Sequence, residues 1–502
     1  MRTIFYYAFL CLAFISARPA SGFSLLGPYA PWMTQHLGYR LPEDIGGPMD
    51  LGEEYRWNVP VVTYGFDPSF VNYFGTNGVA EVEKAIQILN SLPPASLMDL
   101  QQFPVSTIDK NYEASTLNLS DLKSTALSFL LEAMGLAAPE LHVWNLHDYS
   151  TGSIDNRPYT NFTIIRRNFD PEYWSATPYV NDVYYTYKIN YYSYGLDYWE
   201  ASEIASGLFP FSSVAGGTLY GSQYGEYYKG LTRDDAGGLR YLFSRSNWNV
   251  ESLLPGTRGY GTNAGNFVDT ALRPGVEKIT FERVHFNSLL GGFTPVTNRY
   301  VDTYIVNDKP VKQTLERVIT RPDILFAASD FISESGYPEL VQRTDTRTWI
   351  NNAALNSYVP QDGPGVIQPP ITISFNKLAG YFLNYSGYYY YPGRPGMDEA
   401  GAVNHWIWGS FDESTNAPVV YPTGFNIPIT ATVRLPVPAS NPPRDLNWQL
   451  SAPVGARFLL ESSTNLRDWS FEQAFTITGS EVALPGAPGA TSPLRFYRIR
   501  WE

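Results

Sequence analysis

A multidomain chain, with an α+β N-terminal region followed by mainly-β domains, is the fold class the sequence predicts, and three observations predict it. At 502 residues the chain is longer than one hydrophobic core organises. Its 37 Tyr, 41 Gly and 38 Pro favour short strands joined by turns. Helical periodicity is present before residue 250 and fades from about 251 to 432.

The elements follow in chain order. "MRTIFYYAFLCLAFISARPASG" has Arg2, an apolar run from Ile4 to Ile15, and small residues Ala20 and Gly22 at signal-peptidase spacing. Residues 1–22 are therefore expected to be a signal peptide, and the mature chain to be exported to the periplasm, the cell surface or the medium. The apolar run is short for a permanent anchor, so no membrane span is expected after cleavage. Cys11, the only cysteine, lies inside that run, so disulfides and thiolate metal sites are not expected in the mature chain.

Residues 23–250 form the α+β region. "VPVVTYGFDPSF" reads as a strand from Val59 to Phe66, stopped by Asp67 and Pro68. A helix is expected from Asn77 to Ser91, with Val79, Val82, Ile86 and Leu89 on one stripe. A second is expected from Asp121 to Met134, capped by Ser120 and ended by Gly135. The Tyr-dense "DVYYTYKINYYSYG" reads as strand and is followed by a short helix around Tyr198 to Ser206. "LTRDDAGGLRYLFS" closes the region as a helix: Thr232 and Asp235 make a capping box, Asp234 and Asp235 suit the positive end of the helix dipole, and Leu239, Leu242 and Phe243 supply the apolar face.

Residues 251–433 read as a β-rich domain. "PITISFNKL" alternates Ile371, Ile373 and Phe375 against Thr372 and Ser374, and "KITFERVHF" shifts phase as a bulged strand does. The Pro-dense 434–445 is expected to be a linker, and 446–502 one small antiparallel module. The formal charge of −13, with no dense run of Lys or Arg, excludes nucleic acid as an expected partner.

On these residues the 59–244 stretch resembles the matrixin branch of the metzincin zinc peptidases. "VTYGFDPSFVNYFGTNGVAEVEKAI" is similar to that family's strand, turn and first long helix. "LTRDDAGGLRYLF" is similar to its last helix at Leu231, Thr232, Asp234, Asp235, Gly237, Leu239, Leu242 and Phe243. "GTLYGSQY" stands where the family has its methionine turn, with Tyr220 in place of the methionine and Tyr224 at the closing tyrosine. The resemblance implies a metzincin-like α+β domain and a helix carrying HExxHxxGLxH, a motif this chain lacks.

Aligned on Gly207 and Leu208, the three zinc histidines fall on Glu200, Ile204 and Pro210 and the catalytic glutamate on Ala201. Aligned instead on Gly135 and Leu136, those positions are Ser128, Glu132 and Ala138, with Phe129 for the glutamate. Neither register keeps a histidine. Two histidines at i and i+4 reach one ion from one helix face, and the glutamate takes a proton from the zinc-bound water. Isoleucine offers no lone pair and alanine no base. The closing 60 residues, with "ESSTNLRDW" and "FYR", resemble small β-sandwich modules that end exported bacterial proteins, which implies a secreted or surface context.

No catalytic residue, metal ligand or cofactor follows from other patterns. His36, His142, His147, His285 and His405 include no pair three or four apart; His142 and His147 read as polar loop residues, and His285 and His405 as strand residues. GxSxG, P-loop and GxGxxG motifs are absent from the sequence. Glu200 and Glu203, as an acid–base pair for glycosides, compete with a reading as solvated helix faces. The Tyr clusters, with Tyr191, Tyr192, Tyr198 and Trp199 foremost, could stack on a peptide or glycan. The expectation is thus an exported non-catalytic binding or cell-surface protein on a degenerate zinc-peptidase scaffold; the alternative is a secreted hydrolase or divergent metallopeptidase using another site.

Overall fold

The computed structural model describes residues 21–41, 46–117, 119–194, 196–206, 211–217, 224–329, 341–345, 350–351, 364–377, 407–414, 416–422, 431–432, 448–450, 457–463, 469–476, 482–484 and 496–501. The leader to residue 20, Pro210, Tyr220, the Tyr run at 388–391, His405 and the 434–445 linker lie outside the described residues. Strand is twice as frequent as helix, 42% against 21%, so the chain is mainly β.

Strand β1 (Phe23–Gly27) is buried along its length and pairs antiparallel with residues 47–48, 136–137 and 168–169. Strand β2 (Val61–Phe66) is stopped by Asp67, whose side chain accepts the Ser69 amide at 2.8 Å, with Pro68 in the first turn. Helix α1 (Pro68–Asn90) thus starts before the expected Asn77. Non-helical Gly75 (φ 64°) separates Phe70 and Phe74 from the Val79, Val82, Ile86, Leu89 stripe, which hid the first turns from a periodicity argument.

Helix α2 (Leu122–Ala133) is capped by Asp121 rather than by the expected Ser120: its carboxylate accepts from the Ser124 amide at 2.8 Å and the Ser124 hydroxyl at 2.5 Å. The helix ends at Gly135, as expected, with φ 106°. After α3 (Pro139–His142), strands β3 (Asn145–Ile154) and β4 (Arg157–Ile165) form a hairpin whose turn residues Asp155 and Asn156 both have positive φ.

Strands β5 (Val183–Tyr194) and β6 (Leu196–Ala205) form a second hairpin, paired from Tyr185↔Ala205 to Tyr194↔Leu196. The short helix expected around Tyr198 to Ser206 is therefore a strand. Alternating Tyr198, Glu200 and Ser202 against Trp199 and Ala201 matches the pleat of the Tyr-rich partner, and ladder pairing overrides the helix preference of Glu and Ala. Helix α4 (Arg233–Phe243) carries the expected capping box between Thr232 and Asp235.

The central sheet joins the two halves of the sequence. Its order is β7 (Thr280–Arg283), β2, β10 (Ile324–Ser329), β12 (Ile371–Asn376) and β11 (Val341–Asp345), the first four parallel and the last antiparallel. The boundary expected at 250 therefore does not fall between separate sheets. VVTYGF and ILFAAS are near-continuous apolar runs, as strands covered on both faces require; ITISFN alternates in type yet is buried at five of its six positions, and β2 satisfies both its edges only with β7 and β10. Phe66, Phe70, Phe74, Phe326, Phe375, Trp408 and Tyr421 fill the core between this sheet and α1. Asp323 ties the join: it accepts the Thr63 amide (2.8 Å) and hydroxyl (2.9 Å) and both Arg317 terminal nitrogens (3.1 and 2.6 Å).

Strands β8 (Val296–Val306) and β9 (Lys309–Ile319) belong to a separate five-stranded antiparallel sheet with residues 248–251, 257–259 and 271–274. His285 lies beyond β7 rather than in it, and is exposed. In the last 60 residues, 457–463 pairs antiparallel with 470–476 and 496–501, where strands were expected. Among the described residues no helix is long and apolar enough to cross a membrane.

Candidate functional site

The β5–β6 register divides the four foremost aromatics. Tyr192 faces Tyr198 on one side of the ribbon, stacked at 4.9 Å, and Tyr191 faces Trp199 on the other at 4.8 Å. They form two pairs rather than one platform, because neighbours on a strand point to opposite faces.

The Trp199 side meets the β3–β4 hairpin. Trp199 lies 5.1 Å from Phe162 and 6.2 Å from Tyr149, and Tyr191 beyond it is 52% exposed. Trp199, Phe162 and Tyr149 are half-buried and pack against the core, and the exposed Tyr191 ends the row. His147 on β3 packs on Trp32 at 4.5 Å. Asp197 accepts a hydrogen bond from the Tyr191 hydroxyl, leaving a carboxylate beside the outermost ring. The opposite face is a polar relay: Asn190 Nδ2 donates to Ser202 Oγ at 2.7 Å, and Ser202 Oγ to Glu200 Oε2 at 3.3 Å. Burial, then the Glu203 charge, raises the Glu200 carboxyl above its ordinary range.

Strand geometry decides what the first zinc-like register can do. Glu200 and Ile204 share a face, but four residues of strand separate them by roughly 13 Å. Ala201 points the other way and is buried, while Ile204 is 41% exposed. Glu200 and Glu203, an odd number apart, point to opposite faces and do not converge on a sugar as an acid–base pair does.

The second register has helix, glycine and turn in order. Ser128 and Glu132 lie one turn apart on α2, both buried, Phe129 packs against the core, and Gly135 turns the chain towards Ala138. A Cβ at Gly135 would stand 2.4 Å from the Tyr55 carbonyl oxygen, so glycine is needed there on both conformational and steric grounds. Ser128 Oγ is buried with no hydrogen-bond partner among the described residues, and Gly217 backs onto it and onto the Tyr228 hydroxyl. Among the described residues no group of three or more His, Cys, Asp or Glu is placed to hold a metal ion.

Beside α2 lies a cluster of buried carboxyls that spacing did not reveal. Glu140 on α3 accepts the Ser213 amide at 3.1 Å and lies 2.7 and 2.6 Å from the Ser213 hydroxyl. Asp235 at the start of α4 accepts the Val214 and Ala215 amides at 3.1 and 2.9 Å. Asp234 accepts the Asn181 amide at 2.6 Å and lies by the Gly22 amide. Burial pushes Glu140 up to about 7 against the lowering effect of the Ser213 hydrogen bonds, and raises Asp234 and Asp235. His142 is pushed down to about 4 by burial, despite its Nδ1 contact with Asn145 Oδ1 at 3.1 Å. It and His147 are thus a helix residue and a strand residue, not one loop. Ser213 stands 73 residues from Glu140, a separation no motif marks.

No protein-family model, curated protein or solved structure matches the chain.

Proposed function

We propose that this chain is an exported, non-catalytic binding protein built on a degenerate zinc-peptidase scaffold, and that the aromatic row between its two hairpins contacts a glycan. The row Tyr191, Trp199, Phe162 and Tyr149 is the observation that supports this reading. Half-buried rings bordered by a carboxylate suit the apolar faces and surrounding hydroxyls of a sugar. The rings are held by both hairpins at once, so little conformational freedom remains to be lost on binding.

The test is a glycan and peptide array probed with the mature chain and with Trp199→Ala. Binding to a glycan class is expected, weakened about tenfold by the substitution, which corresponds to about 1.4 kcal/mol of ring contact. Circular dichroism of the variant should match the parent. Capture of peptides instead of glycans, or equal binding by the two proteins, would exclude the proposed site.

A further inference from the structure

We propose that Glu140 and Asp235 form a pH-operated clamp on the 213–216 turn, which holds the turn while Glu140 carries a proton and loosens it when Glu140 ionises. The two carboxyls reach the turn from different helices: Glu140 from α3 takes the Ser213 amide and hydroxyl, and Asp235 from α4 takes the next two amides. The Gly216 amide donates to Ser213 Oγ at 2.9 Å, which closes the turn. Its packing is direct, since a Cβ on Gly216 would stand 2.4 Å from Glu140 Oε2.

Among the described residues no cation is placed against Glu140, and Arg233, two residues before Asp235, is paired with Glu172. The ionisable side chains interacting with Glu140 are Asp235 on α4, Tyr228, and Tyr185 on β5. Strand β1, packed on α3, has none, and those of β6 (Asp197, Tyr198, Glu200 and Glu203) are all acids. His142 on the same helix is kept neutral by burial. With its proton, Glu140 donates to Ser213 Oγ and keeps one oxygen for the Ser213 amide. Without it, an anion with no counter-charge sits beside the Asp235 carboxyl in a dry site, and exposure of the turn to water is the available means of solvation.

The direction follows from linkage. Glu140 is held above its ordinary 4.5, at about 7, so the folded turn binds the proton more tightly than the opened one. The hold is complete below the ordinary value and is lost as pH rises between the two, by up to about two orders of magnitude.

Hydrogen exchange of peptides spanning 211–217, corrected for intrinsic rates, tests the clamp between about pH 5 and 8.5. Protection in the wild type is expected to fall at least tenfold as pH rises, while α1 stays protected. Glu140→Gln should abolish the pH dependence. Ser213→Ala removes the hydroxyl that protonated Glu140 and the Gly216 amide both hold, so protection at pH 5 should drop and its further fall with rising pH should shrink. Constant protection in the wild type, an unchanged fall in Glu140→Gln, or loss in α1 together with the turn would each overturn the proposal. Should Glu140→Gln fail to fold, wild-type protection at pH 5 with a wild-type fall in Ser213→Ala overturns it.

Discussion

Asp323→Ala is expected to destabilise the chain by about 3–5 kcal/mol, the usual cost of removing one partner from a buried ion pair. Asp323 is fully buried, and its two oxygens take four hydrogen bonds, two from Thr63 on β2 and two from Arg317 on β9. The alanine variant leaves a guanidinium that is itself 7% exposed without its carboxylate, and an amide of the central sheet without its acceptor. Neither group has bulk water within reach. The substitution also strikes the seam between segments 260 residues apart, so β2 should lose its register with β10. Urea denaturation followed by circular dichroism measures the loss. Arg258→Ala is the control: its side chain is 66% exposed in its pair with Glu316, and it should change stability by under about 1 kcal/mol. Equal losses from the two variants would remove Asp323 from its role at the join.

What the sequence made legible is local. Thr232 and Asp235, three residues apart, specify their cap by proximity alone, and Gly135 marks the end of α2 because few other residues adopt its backbone conformation. Alternation at 371–376 identified a strand. Failures came where a distant partner decides. Glu200, Ala201, Ser202 and Glu203 look helical until the Tyr-rich strand pairs with them, and that pairing also assigns Tyr191 and Tyr192 to opposite faces. The joining of 61–66 with 280–283 and 324–329 is a choice of neighbours among many apolar strands, which periodicity does not rank. Glu140 and Ser213 had no signal in sequence: a buried carboxyl is recognised by what surrounds it, and its surroundings are assembled from three elements far apart in the chain.

Phe74→Ala is expected to cost about 3–5 kcal/mol, through lost burial and the cavity left behind. Phe74 is fully buried, with ring centres of Phe70 at 4.6 Å, Tyr421 at 5.5 Å, Phe375 at 5.9 Å and Trp408 at 6.2 Å. These rings come from α1, from β12 and from the strand pair 407–410 and 419–421. Collapse around the cavity is restricted: Gly78 one turn on already sits so close that a Cβ there would lie 2.2 Å from Phe74 Cβ, and the facing rings are wedged edge to face. Phe74→Leu keeps most of the volume and should cost under about 1.5 kcal/mol. Because Trp408 and Tyr421 lean on Phe74, the alanine variant should also become more sensitive to proteolysis between 411 and 418, where Asp412 and Glu413 are exposed between the two strands. Denaturation curves for the two variants, with timed digestion and mass mapping of the first cut, read both effects. A loss under about 1 kcal/mol in Phe74→Ala, with no new cleavage at 411–418, would mean that the C-terminal strand pair does not depend on α1 for its place in the core.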